Sequence, residues 1–290
     1  MSEIIFSFLN VGKGNCTIID FPSKRLTVID IDDSRTISDE AKILMKKEGK
    51  AKLTNPIEYI NSYFSNREIF RFILTHPDMD HMSGIKQLFN NRTILNFWDT
   101  ENNKQIDPDT WENSPYNKED WDFYQNIRDI RQSNANTPKI LTLYRDAKSN
   151  CCWVQDTIKI LAPTEELVKE ANENEDWDNI SYVLMVEYAE KKILLGGDAT
   201  KKSLEDIINY YGQNYLKSDV LFPPNHGSSN HISKEILDVI NPDLTIVSVA
   251  EGVDYAKNLY SKYGKVLSTK YYGNIWVKIK DTGEIFFRTQ

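Results

Sequence analysis

The chain opens on alternating apolar and polar positions. Ile5-Phe6-Ser7-Phe8-Leu9 leads into the turn Asn10-Val11-Gly12-Lys13-Gly14-Asn15; Cys16-Thr17-Ile18-Ile19 leads to Pro22-Ser23; Leu26-Thr27-Val28-Ile29 follows. Short β-branched runs separated by Gly, Pro and Ser predict a β-meander. The pattern then reads as helical over residues 37–49 and 56–64, the second opening on Pro56, whose missing N–H costs nothing in a first helical turn. Phe70-Arg71-Phe72-Ile73-Leu74 reads as a buried strand and runs straight into Thr75-His76-Pro77-Asp78-Met79-Asp80-His81. A helix is predicted over 82–89 and a strand over 93–97. A polar cluster thus sits at the carboxyl end of a strand, where α/β sheets carry function.

Residues 99–138 differ in texture, being rich in Asn, Asp, Pro and aromatic residues, among them Trp111, Tyr116, Trp121, Phe123 and Tyr124. A stretch this long and aromatic predicts an inserted helical segment or lid. Strand-like runs resume at 139–144, 153–161, 182–188 and 191–195; a helix over 200–211 precedes Val220-Leu221-Phe222, and two helix–strand units follow. The order β-rich, βαβ, β-rich, βαβ predicts an α/β fold with two sheets between helices.

Composition changes the picture little: 40% hydrophobic and 27% charged residues are ordinary for a globular chain of 290 residues. No apolar run reaches the roughly 20 residues of a membrane span, and MSEIIFSFLN lacks the pattern of a secretory signal; the expectation is a soluble, cytoplasmic protein with no membrane partner. Three cysteines fit: Cys16 lies in an apolar run, Cys151 and Cys152 are adjacent, and no CxxC pair suggests a thiolate zinc site or redox motif. The net charge of −8 argues against broad binding to long duplex nucleic acid.

The chemistry lies in the histidines. There are four, His76, His81, His226 and His231. The loop His76-x-Asp78-x-Asp80-His81 presents two imidazoles and two carboxylates whose charges repel unless a cation joins them. Imidazole with carboxylate suits zinc, manganese or iron; the competing reading is an acidic helix start, with Asp78 or Asp80 as the cap. Gly196-Gly197-Asp198 and Asn225-His226-Gly227 each follow an apolar strand, so three strand ends deliver ligand-type side chains. Gly12-Lys13-Gly14 lacks the context of a phosphate-binding Walker loop and reads as a tight turn.

Thr75 to His81 resembles the signature loop of the metallo-β-lactamase superfamily, with Asp78 where many members carry a second histidine. His-Pro-Asp-x-Asp-His followed by Ser83-Gly84 is especially similar to the hydrolase domain of the DNA-uptake competence proteins. Phe8 to Asn15 resembles the opening strand and glycine turn, Asp30 the aspartate ending the third strand, Asn179 to Leu184 the strand before Gly197-Asp198, and Thr269 and Gly273 the closing strands. The resemblance implies an αββα sandwich of two mixed β-sheets flanked by helices, forming one domain over residues 1–290 with an insertion at 99–138. It implies two divalent metal ions, zinc or manganese, with His76 and Asp78 on the first, Asp80, His81 and His226 on the second, and Asp198 bridging. Oxygen-rich ligation at Asp78 favours manganese. Asp80 and Asp198 carry the catalytic expectation, through a metal-bound hydroxide. Where many relatives have a further histidine, this chain reads Asp176-Trp177-Asp178-Asn179, so Asp176 or Asp178 stands in or the ligand is missing. Asn225 replaces one of two histidines, no histidine stands near Tyr255, and His231 is a candidate proton donor or an exposed loop residue.

These features point to a metal-dependent hydrolase, a phosphodiesterase or nuclease acting on nucleotides or single-stranded nucleic acid. The alternatives are hydrolysis of a lactone, thioester or β-lactam on the same scaffold, and a metal-binding module that has lost its activity. Stacking of bases on Trp111, Trp121 or Tyr124 is expected if their rings face the site.

Overall fold

The computed structural model describes residues 2–33, 43, 46–47, 49–129, 138–148, 153–249 and 255–290. The helix expected over 37–49 falls for the most part outside the described residues, as do Cys151 and Cys152. In chain order the elements are β1 (Glu3–Phe8), β2 (Thr17–Asp20), β3 (Leu26–Ile29), β4 (Ile31–Asp32), α1 (Pro56–Tyr63), β5 (Ile69–Ile73), α2 (Met79–Met82), α3 (Ile85–Asn91), β6 (Ile94–Trp98), α4 (Lys118–Asp129), β7 (Lys139–Leu141), β8 (Ile158–Ala162), α5 (Glu165–Asn174), β9 (Val183–Tyr188), β10 (Lys191–Leu195), α6 (Lys201–Tyr211), β11 (Val220–Phe222), α7 (Lys234–Ile240), β12 (Leu244–Val247), α8 (Lys257–Tyr260), β13 (Lys265–Ser268), α9 (Thr269–Tyr272), β14 (Ile275–Lys280) and β15 (Ile285–Thr289). Side-chain caps explain several helix starts: Asn55 accepts from Ile57 and Glu58 before the Pro56 turn, and Thr200 accepts from Ser203.

Two mixed sheets result. The larger runs β15-β14-β1-β2-β3-β5-β6-β7, antiparallel up to β3 and parallel from there; the smaller runs β13-β12-β11-β10-β9-β8, parallel except around β9. Strand alternation sorts the side chains into layers. On β9, Leu184 and Val186 join Phe6, Phe8 and Phe222 between the sheets, whereas Val183 and Met185 pack outward with Leu204, Ile207 and Leu237 of α6 and α7. On β5, Ile73 faces the inter-sheet core and Phe72 faces Ile60, Leu88 and Trp121 of α1, α3 and α4. The αββα order follows from this period of two, and each fully buried Phe or Leu stabilises it by about 1.5–3 kcal/mol.

Four local expectations need correction. The helix expected over 82–89 is two helices, α2 and α3, broken at Ser83 and Gly84 (φ 92). Ladder bridges from Ile31 to Met82 and Asp32 to Ser83 take up that backbone, and Asp33 N–H donates to the Ser83 carbonyl at 3.0 Å. The strand expected over 153–161 begins only at Ile158, after a 3-10 turn, Val154–Asp156, and a left-handed Thr157 (φ 54). Thr269 and Gly273 belong to α9 and its cap, while β14 and β15 close the larger sheet. The aromatic segment is the crossover between β6 and β7, formed by a 3-10 turn, Pro108–Asn113, and α4. Within it Trp121 and Tyr124 are buried in the outer core and Trp111 packs against the same cluster. Trp121 and Tyr124 are therefore not available for base stacking.

Candidate metal centre

The ends of four strands, β3, β5, β10 and β11, and one turn converge. β3 stops at Asp30, whose left-handed backbone (φ 55) turns its carboxylate toward the loop after β5. There it accepts from the Thr75 N–H and the Thr75 hydroxyl, each at 2.8 Å. Past β10 and β11 the parallel pairing continues: Gly196 N–H donates to Phe222 at 2.9 Å and Asn225 N–H to Gly197 at 3.0 Å, which sets Asp198 and His226 side by side. The position of Gly197 (φ 52) favours glycine, because its backbone is left-handed and a Cβ there would lie a tight 3.0 Å from the Tyr182 carbonyl. Asn225 and His226 are left-handed as well (φ 44 and 51), a conformation that costs about 1–3 kcal/mol per non-glycine residue and collects at functional sites. The Gly12-Lys13-Gly14 turn braces the other side: a Cβ on Gly14 would fall 1.9 Å from the Asp80 carbonyl, and the Gly14 N–H donates to Asp32 at 3.0 Å.

The imidazoles of His76, His81 and His226 are each anchored through Nδ1. His81 Nδ1 lies 2.8 Å from Asp30 Oδ2, His226 Nδ1 3.2 Å from the Ser248 carbonyl, and His76 Nδ1 3.2 Å from the Thr75 hydroxyl. With Nδ1 engaged, Nε2 is the atom each ring offers a cation. These Nε2 atoms face carboxylates. His81 Nε2 is 3.4 Å from Asp198 and 4.0 Å from Asp80; His226 Nε2 is 3.4 Å from Asp80 and 3.7 Å from Asp198; His76 Nε2 is 3.8 Å from both Asp78 and Asp178. Three overlapping trios, His76–His81–Asp198, Asp80–His81–His226 and His76–Asp78–Asp178, each keep their ligand atoms within 4.8 Å of one another. Ligands held at about 2.0–2.2 Å from one ion stand about 3–4.4 Å apart, so the spacing fits divalent metal. Two buried atoms, His81 Nε2 and Asp198 Oδ1, have no hydrogen-bond partner. Orphaned polar atoms cost about 1–3 kcal/mol each, and a cation between them removes that cost.

The electrostatics agree. Burial works against ionising Asp80, but the His81 and His226 rings outweigh it and bring its carboxyl down to about 2. Asp198 is depressed further, its burial overcome by the same rings. Burial opposes the charged form of His81 and His226, yet Asp198 above all, with Asp30 and Asp80 beside His81 and Asp80 beside His226, drives both imidazoles upward.

All six expected ligands, His76, Asp78, Asp80, His81, Asp198 and His226, meet here. Asp78 sits at the cap position of α2, but its side chain makes no capping bond, so the competing helix-start reading does not account for it. Of the further candidates, Asp178 joins the cluster and Asp176 does not: Asp176 accepts from the Asn179 amide at 2.6 Å, and Asn179 in turn accepts from the Thr200 hydroxyl. His231 and Asn225 reach Asp178, at 3.1 and 3.4 Å, and thereby orient it. Sequence reasoning missed Lys104, whose ammonium bonds Asp78, and the half-buried Tyr116, whose hydroxyl is pushed up by burial and then by Asp80, Asp32 and Asp78. It also missed the Ser248 carbonyl, a backbone atom that no residue type announces.

Comparison with solved structures places this architecture. Igni18, a metallo hydrolase from the archaeon Ignicoccus hospitalis, superposes with a TM-score of 0.50 over 99% of each chain at 11% identity. The chain has the metallo-β-lactamase fold. Within that fold it also matches a variant of the CmlA β-hydroxylase, a diiron enzyme of Streptomyces venezuelae, with a TM-score of 0.51 and 10% identity over 96% of this chain and 54% of that one. In sequence it is 21% identical over 257 residues to ComE operon protein 3 of Bacillus subtilis, spanning 88% of this chain but only 29% of that relative's length. No family model matches the sequence. At these identities the likeness is one of fold. Among the described residues, no helix is long and apolar enough to cross a membrane.

Proposed function

We propose that the chain is a metal-dependent hydrolase that binds up to two divalent ions, zinc or manganese, and cleaves phosphodiesters in nucleotides or single-stranded nucleic acid. His76, Asp78 and Asp178 would hold one ion, Asp80, His81 and His226 the other, with Asp198 shared. The observation carrying this reading is the pair His81 Nε2 and Asp198 Oδ1, buried, without hydrogen-bond partners and 3.4 Å apart. When bound, the ions supply an ionised water near neutral pH and offset charge on a phosphoryl group. The residues' own share is to fix geometry: Asp30 and the Ser248 carbonyl set two rings, and His231 with Asn225 sets Asp178. Two things support the phosphodiester choice: the loop from His76 to Gly84, with its resemblance to the competence proteins, and the similarity to ComE operon protein 3. The net charge of −8 favours short or single-stranded substrates over long duplexes.

The test is an assay of zinc- and manganese-loaded protein on dinucleotides, single-stranded DNA, RNA, duplex DNA, a generic phosphodiester, a lactone, a thioester and a β-lactam, beside Asp80→Ala and Asp198→Ala. Phosphodiester turnover is expected, falling by more than about a hundredfold in both folded variants. Turnover of a carboxylic ester alone overturns the substrate class; metal uptake with no turnover on anything points to a binding module.

A further inference from the structure

The two halves of the centre are unequal. In the half around His81 and Asp198 those two side chains are 0% and 7% exposed and carry the unpartnered pair His81 Nε2 and Asp198 Oδ1, while Asp80 and His226 are 27% and 14% exposed. Among the described residues, neither Asp80 nor Asp198 pairs with a lysine or arginine. The half around His76 is open at its carboxylates, Asp78 being 36% and Asp178 28% exposed, and it offers a single imidazole. It also already contains a cation. The Lys104 ammonium bonds Asp78 Oδ1, the oxygen that stands 3.8 Å from His76 Nε2.

Lys104 does not reach this position by the swing of a loose surface chain. Its side chain is only 15% exposed, and the backbone that carries it is pinned. Lys104 N–H donates to Asn102 Oδ1 at 3.3 Å, the Asn102 amide donates to the Tyr124 hydroxyl at 2.9 Å, and Arg128 donates to the Asn102 carbonyl at 2.6 Å. On the other side, Asn103 N–H donates to Asn172 at 2.9 Å. The crossover between β6 and β7 therefore delivers one positive charge to the first half of the centre.

We infer that Lys104 is a built-in cation of this site, so that the chain takes one divalent ion tightly at Asp80, His81, His226 and Asp198 and a second only weakly, in competition with the Lys104 ammonium. The inference rests on the metal-dependent reading above and deepens it. An ion entering beside His76 has to displace the ammonium from Asp78 and then sit within a few ångströms of it, where like charges repel. His231 and Asn225 hold Asp178 toward this half, so the weak site keeps a ligand and is not abolished.

Titration of the metal-free full chain with manganese(II), reading the free ion by electron paramagnetic resonance, tests this without reference to turnover. The wild type should show one tight and one weak step. Lys104→Ala should strengthen the weak step by at least about tenfold while moving the tight step by less than about twofold, and Lys104→Arg, which keeps the charge, should retain the weak step. Two equal steps in the wild type, or a weak step unmoved in Lys104→Ala, overturns the inference and leaves the hydrolase reading standing. No uptake by any of the three proteins overturns both.

Discussion

At the scale of single residues, the centre depends on groups that touch no substrate. Asp30 is the clearest case: one carboxylate accepts from the Thr75 N–H, the Thr75 hydroxyl and His81 Nδ1, each at 2.8 Å. It thereby fixes the loop that carries His76 and the tautomer of His81 together. We expect Asp30→Ala to weaken metal binding by about 10–100-fold, as loss of an outer carboxylate partner does, and to cost about 1–3 kcal/mol through the stranded Thr75 N–H. Metal titration and urea unfolding check the two effects separately. Metal affinity within about twofold of wild type would show that His81 is oriented without it. The left-handed pair Asn225 and His226 makes a related point: strain in the backbone is retained where it aims an imidazole.

Among the elements, the short helix α2 and the crossover helix α4 decide the centre's shape. α2 places Asp80 and His81 on adjacent positions of one turn, and the break at Ser83-Gly84 lets β4 bridge to its end. The Asp120 carboxylate, just inside α4, accepts from the Gly84 N–H at 3.0 Å and the Lys86 N–H at 3.1 Å, which docks the crossover against the metal loop. The aromatic residues of this crossover, numerous enough to suggest a base-stacking platform, instead seal the outer core: Trp121 is 5% exposed and Tyr124 fully buried. Trp121→Ala should therefore cost about 3–5 kcal/mol of stability, the range for emptying a buried aromatic site, and lower turnover of every substrate alike. Denaturation midpoints and KM values measured below the variant's melting range check this. A rise in KM confined to nucleic-acid substrates, with stability unchanged, would restore the stacking role.

Over the molecule as a whole, two mixed sheets meet so that the carboxyl ends of β5, β10 and β11 open onto one edge, and the charge gathered there couples metal uptake to pH. His81 and His226 are raised above their ordinary value by neighbouring carboxylates despite burial. Such groups stabilise the metal-free fold fully below the unfolded histidine value of about 6.5, and this contribution is lost as pH rises through their folded values. Metal replaces those protons, so binding should release protons and tighten as pH rises from about 6.5 upward. Asp80, held near 2, stays ionised throughout that window. The gap in melting temperature between metal-loaded and chelator-treated protein should widen across the same range. Scanning calorimetry in buffers of matched ionic strength tests this; a gap that narrows with rising pH would mean that the imidazoles are not the ligands.

How much of this was legible beforehand differs by kind of interaction. The strands were readable because a period of two, carried by residues such as Ile18, Phe72 and Leu184, is a property of consecutive positions. The meeting of His76, Asp78, Asp80, His81, Asp198 and His226 was readable because each lies in or just after a strand-end loop; their roles as ligands are what the family resemblance implies. Other outcomes depended on which loops meet in space. The choice of Asp178 over Asp176 came from the turn Trp177–Ile180, which commits Asp176 to Asn179 and sends Asp178 to His76 and His231. The break between α2 and α3 came from a bridge to β4, some fifty positions earlier in the chain. The pairing of Lys104 with Asp78 came from packing of the crossover against the loop after β5. Partners like these are selected by burial and charge between segments far apart in sequence, and the alternation along any one segment carries no record of them.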